Sequence, residues 1–161
     1  MGDYQRTTRE CAVAALRPEL ARAIREHAQK HDLGDVEADV LLCCETTSER
    51  KKPGWLGKLM GDSDKVLYTG VVVTPRWLIW ATSSAKGGPA VLSARLRDIE
   101  VKDYEVTPAY KLVEDTGLEV FGLMTGAAER ASTFIGLGRE PAAHKVRSVL
   151  REAVQRASAP R

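Results

Sequence analysis

The apolar residues change their spacing along the chain, and each change predicts an element. Thr7-Thr8-Arg9-Glu10 has the order of a capping box and predicts a short helix running to Leu16. Pro18 lacks an N–H and cannot continue that helix, so it opens a second one over 18–32. Leu20, Ile24 and Ala28 share one face of it, Arg22, Arg25 and Glu26 lie on others, and Leu33-Gly34 supplies the stop. From Val36 the spacing falls toward two. "VEADVLLCCETT" (36–47) predicts a strand. "KVLYTGVVVTPRWLIWATS" (65–83), rich in β-branched and aromatic residues, predicts two strands turning at Thr74-Pro75. Parity sends Trp77 and Trp80 to opposite faces, one to a core and the other outward or under the N-terminal helix. "SAKGGP" (84–89) is a tight connection.

In "AVLSARLRDIEVKDYEV" (90–106) the apolar alternation runs through Leu92, Ala94 and Leu96, then resumes at Ile99 and Val101 in the opposite parity. Facing has a period of two, so the slip near Arg97–Asp98 requires a bulge, a bend or a change of strand. "YKLVED" (110–115) reads as a short strand and Thr116-Gly117 as a turn. "GLEVFGLM" (117–124) and "ERASTFIGLG" (129–138) then form a hairpin through 125–128. Pro141 opens a last helix, where Val146, Val149, Leu150, Ala153 and Val154 oppose Lys145, Arg147, Arg151 and Arg156. Ser158–Arg161 reads as a frayed tail.

Composition narrows the class. At 161 residues the chain has the length of one domain, and 43% hydrophobic with 29% charged residues is enough to build a core. A net charge of +2 does not call for nucleic acid as a partner. No apolar run is long enough to span a bilayer. "MGDYQRTTRE" has no apolar segment of the secretory kind, and Arg6 stands where a myristoylation pattern wants Ser or Thr. Cys11, Cys43 and Cys44 are odd in number, and the adjacent pair should face opposite sides of a strand. This favours reduced thiols in the cytoplasm over a disulfide framework.

The predicted class is α+β: an N-terminal helical extension, about seven antiparallel strands and a C-terminal amphipathic helix. "VLYTGVVVTPRWLIWA" (66–81) is similar to the strand–Thr–turn–Arg–strand segment of the bacterial pleckstrin-homology-like (PH-like) and GRAM-like domains. "VLSARLRDIEVKDYE" (91–105) resembles their bend after the fourth strand, and "TFIGLG" (133–138) leading into a helix completes the match. The resemblance covers about 36–156. It implies an antiparallel barrel or roll over 36–157, capped by the C-terminal helix, with an extension over 1–35 and a tail over 158–161. Another small barrel or an α+β roll is the alternative.

Candidate chemistry concentrates in "ERKKPGWLGKLMGDSDK" (49–65), which joins two strands. Arg50, Lys51, Lys52, Lys58 and Lys65 outnumber Asp62 and Asp64, leaving +3 over 50–65. Trp55, Leu56, Leu59 and Met60 add four large apolar side chains. In the PH family the corresponding loop commonly holds an anionic lipid headgroup, helped by cations along the next strand. Here that strand, Val66 to Val71, carries none, which argues against a phosphoinositide pocket. The candidate interaction surface is therefore Arg50, Lys51, Lys52, Trp55, Leu56, Lys58, Leu59 and Met60. It suits a protein partner or a second copy of the chain; an anionic membrane surface is the alternative, and packing over the barrel mouth is the purely structural one.

Other motifs are weaker. His27 and His31 sit at i, i+4, but without the Glu of a metalloprotease helix they read as surface histidines near a helix C-terminus. Asp115-Thr116-Gly117 matches the catalytic loop of dimeric aspartic proteases, with "FIGLGRE" (134–140) similar to that family's apolar segment. Too little chain separates the two for a substrate-covering flap, and Asp-Thr-Gly is also good turn chemistry. Gly136-x-Gly138 lacks the third glycine and the βαβ setting of a dinucleotide site. The expectation is a non-enzymatic binding module with no catalytic, cofactor or metal residues.

Overall fold

The computed structural model describes residues 3–51, 66–124 and 130–160. The strands among them are β1 (Tyr4–Glu10), β2 (Leu42–Arg50), β3 (Val66–Val73), β4 (Trp77–Ser84), β5 (Ala90–Arg95), β6 (Glu100–Asp103), β7 (Gly117–Met124) and β8 (Arg130–Gly136). The helices are α1 (Pro18–Lys30) and α2 (Pro141–Ser158). β1 to β5 form one antiparallel sheet in chain order, and β6 to β8 form a second. The class is α+β with two sheets. Of the barrel or roll that the resemblance implies, a closed barrel is not formed.

The five-stranded sheet is buried on both faces, which explains the unbroken apolar runs in β3 and β4. One face, with Val71, Val73, Leu78 and Trp80, meets Leu118, Val120 and Ile135 of the second sheet and Val146 and Leu150 of α2. The other, with Cys43, Val72, Ile79 and Ala81, is covered by Leu20, Ile24 and Ala28 of α1. Trp80 therefore lies in the inter-sheet core, while half-buried Trp77 packs on the α1 side. Cys43 and Cys44 part in the same way, and all three cysteines are free thiols. The parity slip near Arg97–Asp98 is a change of strand: β5 ends, a single turn over Leu96–Asp98 follows, and β6 enters the other sheet. Gly122 sits at a bulge in β7 with φ 91°, where an added Cβ would lie 2.6 Å from the Asp98 carbonyl oxygen.

Three local expectations are corrected. Thr7–Glu10 does not open a helix; it belongs to β1, paired along the edge of β2. The inward residues of β1 are Tyr4, Arg6 and Thr8, and Thr8 shares a 2.8 Å hydroxyl hydrogen bond with Thr46. Residues 36–41 are not strand, because the Asp35 carboxylate accepts the Glu37 and Ala38 N–H groups and folds that segment into a turn. Residues 110–115 are not strand either. Thr107-Pro108 starts a short turn through Lys111, and Val113 N–H donates to Ala109 O at 3.0 Å. The N-terminal extension is thus helical only in part. Its α1 is held at its start by buried Glu45 of β2, which accepts Arg17 N–H at 2.7 Å and pairs with Arg9 at 2.9 Å.

Candidate interaction surface

Of the residues expected to form the surface, Arg50 and Lys51 are described; Lys52, Trp55, Leu56, Lys58, Leu59 and Met60 lie outside the described residues. Arg50 ends β2 opposite Tyr4, and Lys51 N–H donates to Asp3 O at 2.8 Å. This fixes where the 49–65 segment leaves the sheet. Beside that point a cleft of about 420 Å³ is lined by Tyr4, Arg6, Lys51, Tyr110, Asp115 and Arg139 among others.

Arg6 organises the floor of the cleft. Its side chain is nearly buried, and it grips both Asp115 oxygens, Nε to Oδ1 at 2.9 Å and Nη2 to Oδ2 at 2.7 Å. Nη1 donates to Ser48 Oγ, and the guanidinium lies 5.0 Å from the Tyr4 ring centre and 5.2 Å from that of Phe134. Asp115 Oδ1 also accepts Thr116 N–H at 2.7 Å, and Thr116 Oγ1 donates to Leu137 O at 2.6 Å. Asp-Thr-Gly here opens β7 as a turn, with its carboxylate joining β1 to the second sheet. The next segment tightens the same end: Thr8 N–H donates to Glu140, and Gly138 N–H donates to Thr8 Oγ1. These contacts shield the outer edge of β1.

The connection between β6 and β7 forms one wall. Tyr104 is buried, packs edge-on to Tyr110 and Phe134, and donates its hydroxyl to Val113 O at 2.8 Å. With the polar groups tied inward, the apolar side chains project. Val106 is 74% exposed, Leu112 87% and Val113 57%. Such a concentration on one short connection differs from the scattered exposure usual at a surface. Sequence reasoning missed these residues because the Tyr-x-Leu-x-Glu alternation of 110–114 has the form of a strand; Pro108 was the available counter-signal.

The remaining candidates sit elsewhere. The His27 and His31 rings lie 4.4 Å apart, and His27 Nε2 meets Ser93 Oγ at 2.9 Å. Burial, then the neighbouring His31 and Lys30, hold the His27 imidazole below its ordinary range. Among the described residues no three His, Cys, Asp or Glu side chains gather as a metal site. Gly136 and Gly138 lie where β8 leaves the sheet beside Arg6, before α2. Burial raises the thiols of Cys11, Cys43 and Cys44 above the ordinary cysteine value. No described helix is long and apolar enough to cross a membrane. Comparison with protein-family models, curated proteins and solved structures gave no match.

Proposed function

We propose that this chain is a cytoplasmic, non-catalytic binding module of PH-like build whose partner is protein, and that a second copy of the chain is the partner its surface fits best. The observation that carries this is the exposed apolar projection of Val106, Leu112 and Val113 beside an aromatic-walled cleft. A two-fold interface needs one patch that complements itself. Here Leu112 and Val113 lie in the chain between Tyr110 and Glu114, which both line the cleft, and the cleft carries both signs of charge, with Arg139 and Lys51 against Glu114 and Glu140. The PH-like reading is supported by strand order: β2 to β5 form a four-stranded meander, β6 to β8 a three-stranded one, and a C-terminal helix follows. The three free thiols, two of them buried, support a reducing compartment.

An anionic membrane is the weaker reading, because the cleft is not net basic: Glu114, Asp115 and Glu140 offset Arg6, Lys51 and Arg139. The test is solution mass against protein concentration, wild type beside Leu112→Asp. Leu112 is almost wholly exposed, so the fold should tolerate the change. Co-sedimentation with anionic and neutral vesicles separates the membrane reading: salt-sensitive binding to anionic vesicles by a monomeric protein would replace the proposal.

A further inference from the structure

A second cavity lies at the opposite end of the five-stranded sheet, about 850 Å³ in volume. The β3–β4 turn, the end of β5 and the last turn of α2 enclose it, and Arg76, Arg95, Arg97 and Arg156 line it with Trp77. Asp32 is the one carboxylate among its described lining residues.

The fold fixes this convergence. Thr74 Oγ1 accepts Trp77 N–H at 3.0 Å and closes the β3–β4 turn. Leu96 N–H donates to Arg76 O at 2.9 Å, which sets Arg76 beside the strand end that carries Arg95 and Arg97. Leu96 is wholly buried in the inter-sheet core, so its two neighbours are anchored with it while their side chains stay exposed. Trp77 pairs across the sheet with Arg95, whose guanidinium lies 5.3 Å from the indole centre.

Among the described residues these charges are only partly neutralised. Arg156 pairs with Glu152 at 2.7 Å, and Arg97 only reaches its neighbour Asp98 at 3.7 Å. Among the described residues neither Arg76 nor Arg95 has a carboxylate partner. A guanidinium stays charged at every physiological pH and presents five donors in a planar fork that matches phosphate oxygens. Holding four such forks around one cavity, two of them without a carboxylate partner among the described residues, leaves an excess of positive charge that an anion would offset. A compact ligand with several negative charges answers that arrangement better than a long strand, since the cations gather at one cavity.

The geometry points to a binding site for a compact polyphosphate, two or three linked phosphate groups, held by Arg76, Arg95, Arg97 and Arg156. The linked phosphates could be free or the tail of a nucleotide, and the experiment separates the two. Calorimetric titration of the full chain with inorganic triphosphate and with adenosine triphosphate, at low and near-physiological ionic strength, is run beside Arg76→Gln/Arg97→Gln and Arg76→Lys/Arg97→Lys. Both positions are exposed, and unliganded melting curves check that each variant folds as wild type does. The expected result is saturable binding, weakened at least tenfold by the Gln pair and clearly weakened by the Lys pair, which keeps charge but loses the forks. Equal binding of the two ligands identifies free polyphosphate recognition; tighter binding of the nucleotide identifies the tail of a nucleotide. No saturable binding at low ionic strength, or binding unchanged in the Gln pair, overturns the site. So does preference for a single-stranded RNA 10-mer with no triphosphate binding, because the groove would then serve an extended polyanion.

Discussion

At the scale of single residues, Arg6 and Asp115 show how a polar pair can hold a fold together. The pair is bidentate and nearly buried, and its partners are 109 positions apart in the chain. Removing one member leaves a desolvated guanidinium with Ser48 and two rings for company. Breaking a buried pair typically costs about 3–5 kcal/mol, and the residual exposure here brings the expectation for Asp115→Ala to roughly 2–3 kcal/mol. For a chain of this size that lowers the melting temperature by roughly 5–10 °C. Calorimetry on the variant checks it, and a fall below about 2 °C would mean that Asp115 only shapes its turn.

At the scale of elements, α1 and α2 are fastened by different forces. α1 rests on the outer sheet face through fully buried Leu20 and Ile24. Ile24→Ala should cost roughly 2–5 kcal/mol, read by urea denaturation with little change in the slope. α2 adds charge to its apolar stripe: Arg147 binds Asp103 at 2.8 Å and Glu105 at 3.1 Å, and Arg151 also binds Asp103. Burial pushes the Asp103 carboxyl up, but the hydrogen bonds and charges of the two arginines outweigh it, so its pKa lies below the ordinary 3.8. A depressed carboxylate adds stability that is present above its unfolded pKa and is lost as pH falls through the folded one. Asp103→Asn should therefore destabilise the protein at pH 7 and flatten the loss of stability below about pH 4, followed by melting temperature against pH. An unchanged acid limb would show that the clamp does not feel Asp103.

Which elements could be read from the sequence follows from where their partners lie. The strand change at Leu96–Asp98 was legible because apolar residues flank it in opposite parity and both sets are buried. β1 was not, because two of its inward residues, Arg6 and Thr8, are satisfied by Asp115, Thr46 and Glu140 far along the chain. The connection after β6 misled for the reverse reason: Leu112 and Val113 are apolar, yet among the described residues they stay exposed. The arginine-lined cavity joins three elements, and no local spacing marks it.

At the scale of the whole molecule, the sheet has no free face to offer. α1 covers one side, and the second sheet with α2 covers the other. The proposed recognition therefore falls to the ends: the apolar projection and mixed-charge cleft at one, the arginine-lined cavity at the other. The central claim is that the apolar end binds a second copy. Its most direct test is light scattering on wild type and Leu112→Asp over increasing protein concentration. An interface of this small class predicts that the wild-type mass rises toward twice the monomer value in roughly the 10 µM to 1 mM range, while Leu112→Asp stays monomeric and melts at the same temperature. A wild type that keeps the monomer mass throughout, or a variant that dimerises equally well, would contradict it.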